Sequence, residues 1–286
     1  MASSLRATVG GFARLLRGTP VHPVGADGRM ALSDHLRELR ARLIKAVLFL
    51  VVTFVVALFF YDVLLQLVLE PYNDARLALD QKTQTTAYVA GATGPLMLQL
   101  KLCAVAALVA SSPYWLYQIW AFIVPGLHAK ERTWSRVFAA VAGPLFIVGV
   151  ATGYYVLPKG LEVLIGFTPA SLQSLVEFGE YFSFLTRMLL VFGIAFEIPL
   201  FVIMLNLAGV VSGKQIAKYR PWIIIGTFIF AAVATPSTDP FSMLMLATPM
   251  LLLFLLAELI ARTVDRLRQR RAATSETWAD DELSPL

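Results

Sequence analysis

The chain has 286 residues, 58% of them hydrophobic and only 15% charged, with a mean hydropathy of +0.70. A soluble domain carries roughly a quarter charged residues, so the composition excludes a water-exposed globule and puts the chain in lipid. A net charge of +5 with a single cysteine, Cys103, and three scattered histidines (His22, His35, His128) excludes a disulfide framework and any Cys- or His-based metal spacing.

In chain order, residues 1–29 are basic (Arg6, Arg14, Arg17, Arg29) and lack the apolar core and cleavage site of a signal peptide. They read as a disordered tail near anionic lipid, with Met30 as an alternative start. Leu32, Leu36, Leu39 and Leu43 keep helical spacing and lead into the first span, Leu43–Tyr61. Pro71, after Glu70, is expected to end the extension of that span. The second span is Leu96–Val124, interrupted by Lys101 and Pro113, and the third is Val137–Leu157. The fourth, Tyr181–Val211, is longer than the ~20 residues a span needs and carries Arg187 two turns in, where it can snorkel. The fifth, Trp222–Ala234, is bracketed by Pro221 and Pro236. Its ~14 residues reach roughly 21 Å, short of a hydrocarbon core of about 30 Å. Phe241–Ile260 is the sixth. None shows strand alternation, so each is expected to be a helix.

The cations sort by loop. Nineteen of the 24 lysines and arginines lie from Arg6 to Lys45, from Lys130 to Arg136, from Lys214 to Arg220, or from Arg262 to Arg271. Basic loops stay in the cytoplasm, which predicts both termini and the 2–3 and 4–5 loops on that side. The acids Asp62, Glu70, Asp74, Asp80, Glu162, Glu177 and Glu180 fall on the other.

Four places carry candidate chemistry. Glu38 sits in Ser33-Asp-His-Leu-Arg-Glu-Leu-Arg-Ala-Arg-Leu43, where it either pairs with Arg42 at i, i+4 or is an anion held for a cationic partner. Glu131 is the lone acid among Lys130, Arg132 and Arg136, either balancing charge or receiving a cation. It follows Pro125, which ends a belt of aromatics (Tyr114, Trp115, Tyr117, Trp120, Phe122) typical of a membrane boundary. Glu197 lies mid-span beside Pro199, which frees the carbonyl of Ala195 and bends the helix. An acid at the helix centre costs about 2.5–3.5 kcal/mol on insertion scales and is functional by default. In the loop before span six, Thr235 can cap a helix end, and Asp239 with Pro240 reads as cap and first residue.

Together these pieces resemble the TatC family, the polytopic core of the twin-arginine protein translocase. The matching segments are Asp34-His-Leu-Arg-Glu-Leu-Arg40, Glu70-Pro71, Tyr117-Gln-Ile-Trp-Ala-Phe-Ile-Val-Pro125 through Glu131-Arg132, Phe196-Glu-Ile-Pro199, and Ala234-Thr-Pro236 through Asp239 with Phe241-Ser242. They occur in family order across residues 30–262. The resemblance implies an all-α, multi-pass protein of the bacterial cytoplasmic membrane, six spans in a concave glove-like bundle, with a charged cytoplasmic tail at 263–286. It implies a receptor for signal peptides with paired arginines, met by Glu38 and Glu131, with Phe122 and Arg40 in the same region. Arginine keeps its charge and its planar fork pairs bidentately with carboxylate, so acids are the chemistry such a pair requires.

The family also implies small single-span partners of the TatA and TatB type, anionic lipid, self-association in the assembled complex, and transport driven by the protonmotive force. No cofactor, metal, catalytic residue or nucleic acid is implied. Glu197, Thr235 and Asp239 match intramembrane and partner-facing positions. Met243 stands where a polar residue is usual. Two other classes compete: a proton-coupled small-solute transporter using Glu197, for which no internal repeat is visible, and an intramembrane enzyme, for which no nucleophile–base pair shares a span.

Overall fold

A computed structural model of the chain describes residues 32–78, 85–123, 132–168, 174–234 and 240–276. Its contacts divide into two compact units, Met1–Gly193 and Ile194–Leu286. In the first unit, α1 (Leu32–Phe59) and α2 (Tyr61–Ala78) are followed by a short strand, β1 (Thr85–Tyr88). Helices α3 (Gly94–Ala110), α4 (Ser112–Ile123) and α5 (Arg132–Gly166) come next, then β2 (Ser174–Glu177) and α6 (Phe178–Leu207), which runs on into the second unit. That unit adds α7 (Gly213–Lys218), α8 (Arg220–Ala234) and α9 (Pro240–Glu276).

Four helical stretches are long and apolar enough to cross a membrane: Leu36–Phe59, Ala140–Gly166, Phe178–Leu207 and Met243–Arg270. The pair α3–α4 qualifies as one span broken by a 54° bend, and α8 is a shorter apolar helix of 15 residues. These six segments match the order of the spans expected from hydropathy.

Lipid tails are as apolar as leucine, so such helices are held by close packing rather than by expulsion from water. Small residues make the close approaches in the first unit. A Cβ on Gly143 of α5 would stand 2.6 Å from Pro113 Cα in α4, and one on Gly193 of α6 would stand 2.6 Å from the Phe146 ring in α5. The bend itself falls at Ser111, where α3 has ended and Pro113 offers no N–H to continue it. The Leu108 carbonyl, in the last turn of α3, accepts the indole N–H of Trp115 at 3.0 Å and the Ser111 hydroxyl at 3.3 Å.

Pro71 does not end a helix. It lies buried inside α2, which continues to Ala78. A proline cannot donate to the carbonyl four residues back, here Leu67, and that carbonyl is filled from elsewhere: the Tyr154 hydroxyl of α5 donates to it at 2.8 Å and lies 3.1 Å from Glu70 Oε2. The next carbonyl, Val68, accepts the Tyr181 hydroxyl at 2.6 Å. Tyr72 packs its ring 5.7 Å from that of Tyr181 and shares a 3.0 Å hydrogen bond with Thr85 in β1.

The strands add a feature that span patterning does not contain. β1 and β2 pair in parallel, Thr85 opposite Ser174 and Tyr88 opposite Glu177. The ladder gives the connection after α2 and the one before α6 a shared backbone hydrogen-bonding partner, where lone extended segments would leave these groups to solvent.

In the second unit, Ile216, Phe254 and Ala261 form a core with Val202, Val211 and Ile223 against it. Helix α6 stops where Gly209 turns left-handed at φ 74°, a conformation that glycine adopts without strain. Helix α7 then opens with a capping box, Ser212 and Gln215 each holding the other's backbone N–H. The charged segment from residue 263 is helical through Glu276, as the continuation of α9.

Candidate functional site

Two contacts fix how α1 meets α3 and α4. Cys103 of α3 directs its thiol at the Ala57 carbonyl, and Tyr114 of α4 packs its ring 4.5 Å from that of Phe49. Position falls along α1 as it rises along α3 and α4, so the pairing is antiparallel. Glu38 lies eleven residues before Phe49, about 16 Å of helix, and Phe122 eight residues after Tyr114, about 12 Å. Both therefore point toward the same end of the pair.

At that end Glu38 is half-buried and engaged. Its Oε1 accepts Arg42 Nε at 2.9 Å and Nη2 at 2.5 Å. Both bonds use one oxygen, and a pair at this spacing contributes only about 0.2–0.5 kcal/mol. Arg40 is exposed and Phe122 half-buried. Pro125 and Glu131 lie outside the described residues, as do Thr235, Asp239 and residues 1–29. Glu197 is half-buried in α6, which runs unbroken through Pro199, and Met243 is half-buried in α9. Among the described residues, no cluster of three or more His, Cys, Asp and Glu side chains is placed to hold a metal ion.

The densest charged chemistry is one the sequence pattern only half discloses. Glu258 of α9 is 2% exposed. Arg220 of α8 grips it with the two-pronged guanidinium geometry, Nε to Oε2 at 2.9 Å and Nη2 to Oε1 at 2.6 Å. Arg262, one turn on, adds Nη2 to Oε1 at 2.5 Å. The acid is thus neutralised twice over, which is what keeps a carboxylate buried. The i, i+4 spacing of Glu258 and Arg262 is legible in the sequence, but Arg220 stands 38 residues away.

A second knot lies farther along α9. Asp265 accepts the Gly213 N–H at the start of α7 at 2.6 Å and Asn206 Nδ2 at 3.0 Å. Asn206 also donates to the Val211 carbonyl at 2.9 Å. Arg268 donates to the Asn206 and Leu207 carbonyls, capping the last turn of α6. Gly213 is required by contact: a Cβ there would stand 2.8 Å from the Arg262 backbone nitrogen.

Comparison with known proteins agrees with this architecture. The family model described as "Sec-independent protein translocase protein (TatC)" matches residues 34–249. A TatC protein of Frankia casuarinae is 43% identical over 268 residues, covering 91% of this chain and 74% of that one. Another, from Haemophilus influenzae, is 34% identical, covering 82% and 90%. A crystal structure titled as the twin arginine translocase receptor TatC in DDM superposes with a TM-score of 0.67 at 30% identity, over 79% of this chain and 99% of that one. The chain is an integral membrane protein and belongs to the TatC family of Sec-independent protein translocase proteins.

Proposed function

We propose that this protein is the receptor of a twin-arginine export translocase, binding the paired-arginine signal peptide of folded cargo at the cytoplasmic membrane surface. Glu38 and Glu131 receive the two guanidiniums, with Phe122 and Arg40 beside them. Both termini lie in the cytoplasm, in keeping with the sorting of basic loops. The protein works without catalytic residues or cofactors. It assembles with further copies of itself and with single-span TatA- and TatB-type partners, for which Glu197, Thr235 and Asp239 are the contact positions, and the protonmotive force drives transport.

The observation that carries this reading is the antiparallel register of α1 and α4. It brings Glu38 to the same end as Phe122, from which the chain continues toward Glu131. The ion pair with Arg42 supports it too, since Glu38 already holds a guanidinium at that end and at a strength a two-pronged ligand can displace. The basic surroundings attract anionic headgroups, keeping the site at membrane level.

The test is binding of a twin-arginine peptide to purified protein in nanodiscs. Glu38→Gln and Glu131→Gln should each weaken it by tenfold or more. Wild-type affinity in both variants would overturn the assignment. The transporter alternative built on Glu197 would return only if liposomes holding this protein alone accumulated a small solute.

A further inference from the structure

The break in the second span is a soft joint by its chemistry. Pro113 removes a backbone donor, and Ser111 sits in a turn between two helices inclined by 54°. A joint left to the backbone alone would flex. Here three contacts converge on it. The Trp115 indole N–H reaches back seven residues to the Leu108 carbonyl at 3.0 Å, so one hydrogen bond spans the break from α4 to α3. The same indole stands edge-on to Phe146 of α5, at 5.5 Å and 79°. Gly143 of α5 lets Pro113 approach to a distance that excludes any side chain there.

The joint governs where the far end of α4 lies. From Ser111 to Phe122 is a lever of about 16 Å, so about 10° of slack moves that end by about 3 Å. Hydrogen bonds to a carboxylate tolerate only a few tenths of an ångström. Phe122 rides on this lever, whereas Glu38 rides on α1.

The geometry points to Trp115 as a positioning residue: its indole N–H locks the α3–α4 elbow and so holds Phe122, at the far end of α4, in place relative to Glu38. This rests on the peptide-receptor reading above. Trp115 touches no peptide and acts through the angle of α4.

The experiment replaces Trp115 with benzothienylalanine, which keeps the shape of the indole and removes only its N–H, and separately with Phe. Spin labels on exposed Met97→Cys and Ile119→Cys, in α3 and α4, report the elbow, while Cys103 is fully buried. Twin-arginine peptide affinity is measured on the same nanodisc samples. Both Trp115 variants should broaden the interspin distance distribution and weaken peptide binding about five- to twentyfold with the fold intact. Tyr154→Phe, a comparable loss of one side-chain hydrogen bond elsewhere in the unit, should change neither. Glu38→Gln should weaken binding tenfold or more and leave the distances unchanged.

An unchanged distance distribution in the benzothienylalanine variant overturns the inference. So does a broadened one with affinity within twofold of wild type. If Glu38→Gln binds peptide normally, the receptor reading itself fails, and the positioning role falls with it.

Discussion

Replacing Glu258 with Ala tests whether the buried triad of the second unit stabilises the protein through its charges. The carboxylate accepts three hydrogen bonds from two guanidiniums, at 2.9, 2.6 and 2.5 Å. Bonds to charged groups contribute about 1.5–3 kcal/mol each. The Arg220 and Arg262 side chains are 42% and 40% exposed, so after the change they recover much of their hydration and the lower end applies. Three such bonds come to about 4.5 kcal/mol, and screening of the two exposed guanidiniums brings the expected loss to about 3 kcal/mol for Glu258→Ala and about half that for Glu258→Gln, which keeps volume and one acceptor. Replacing all three at once (Arg220→Met, Glu258→Leu, Arg262→Met) should cost far less than the single truncation, because no charge is left without its partner. Unfolding by SDS titration in mixed micelles reads these differences, and a cycle with Arg220→Ala isolates the pair. A loss below about 0.5 kcal/mol for Glu258→Ala, or strict additivity with Arg220→Ala, would refute the reasoning.

Other outcomes follow from the same geometry. Arg42→Gln frees Glu38 from a contact of about 0.2–0.5 kcal/mol and should tighten twin-arginine peptide binding about 1.4- to 2.3-fold, read by calorimetry. Tyr154→Phe leaves the Leu67 carbonyl without the donor that replaces the one Pro71 lacks, and should destabilise by about 1–2 kcal/mol in SDS unfolding. Ending the chain after Arg262 deletes Asp265 and Arg268, and should expose the 206–213 connection to limited proteolysis. Ending it after Arg270 should leave that connection protected, since both contacts remain.

Hydropathy was enough to place the apolar helices, because a run of apolar residues has only one use for its backbone in lipid. Pro113 marked the break in the second span for the same local reason. Pro71 misled, because a proline's lost donor is a local fact while its replacement at the Leu67 carbonyl comes from Tyr154, 87 residues on in sequence. The parallel strands escaped notice for a related cause. Each has four residues, and neither has a partner until the fold brings Thr85 to Ser174. Of the buried triad, Glu258 and Arg262 were readable as helix neighbours, but Arg220 was not. The anchors of the charged segment beyond residue 262, Asp265 and Arg268, were not legible, because they reach backbone groups elsewhere in the chain and show no pattern of their own. Glu38 was legible as an anion near lipid, but its placement at the same end as Phe122, on which the proposed role leans, is encoded by no single segment.

The most direct measurement is a thermodynamic cycle between protein and peptide: Glu38→Gln in the protein against Arg→Gln at each of the paired arginines, with affinities measured in nanodiscs. Direct contact predicts a coupling of about 1.5–3 kcal/mol for one arginine and much less for the other. Two additive cycles would contradict a guanidinium held by Glu38.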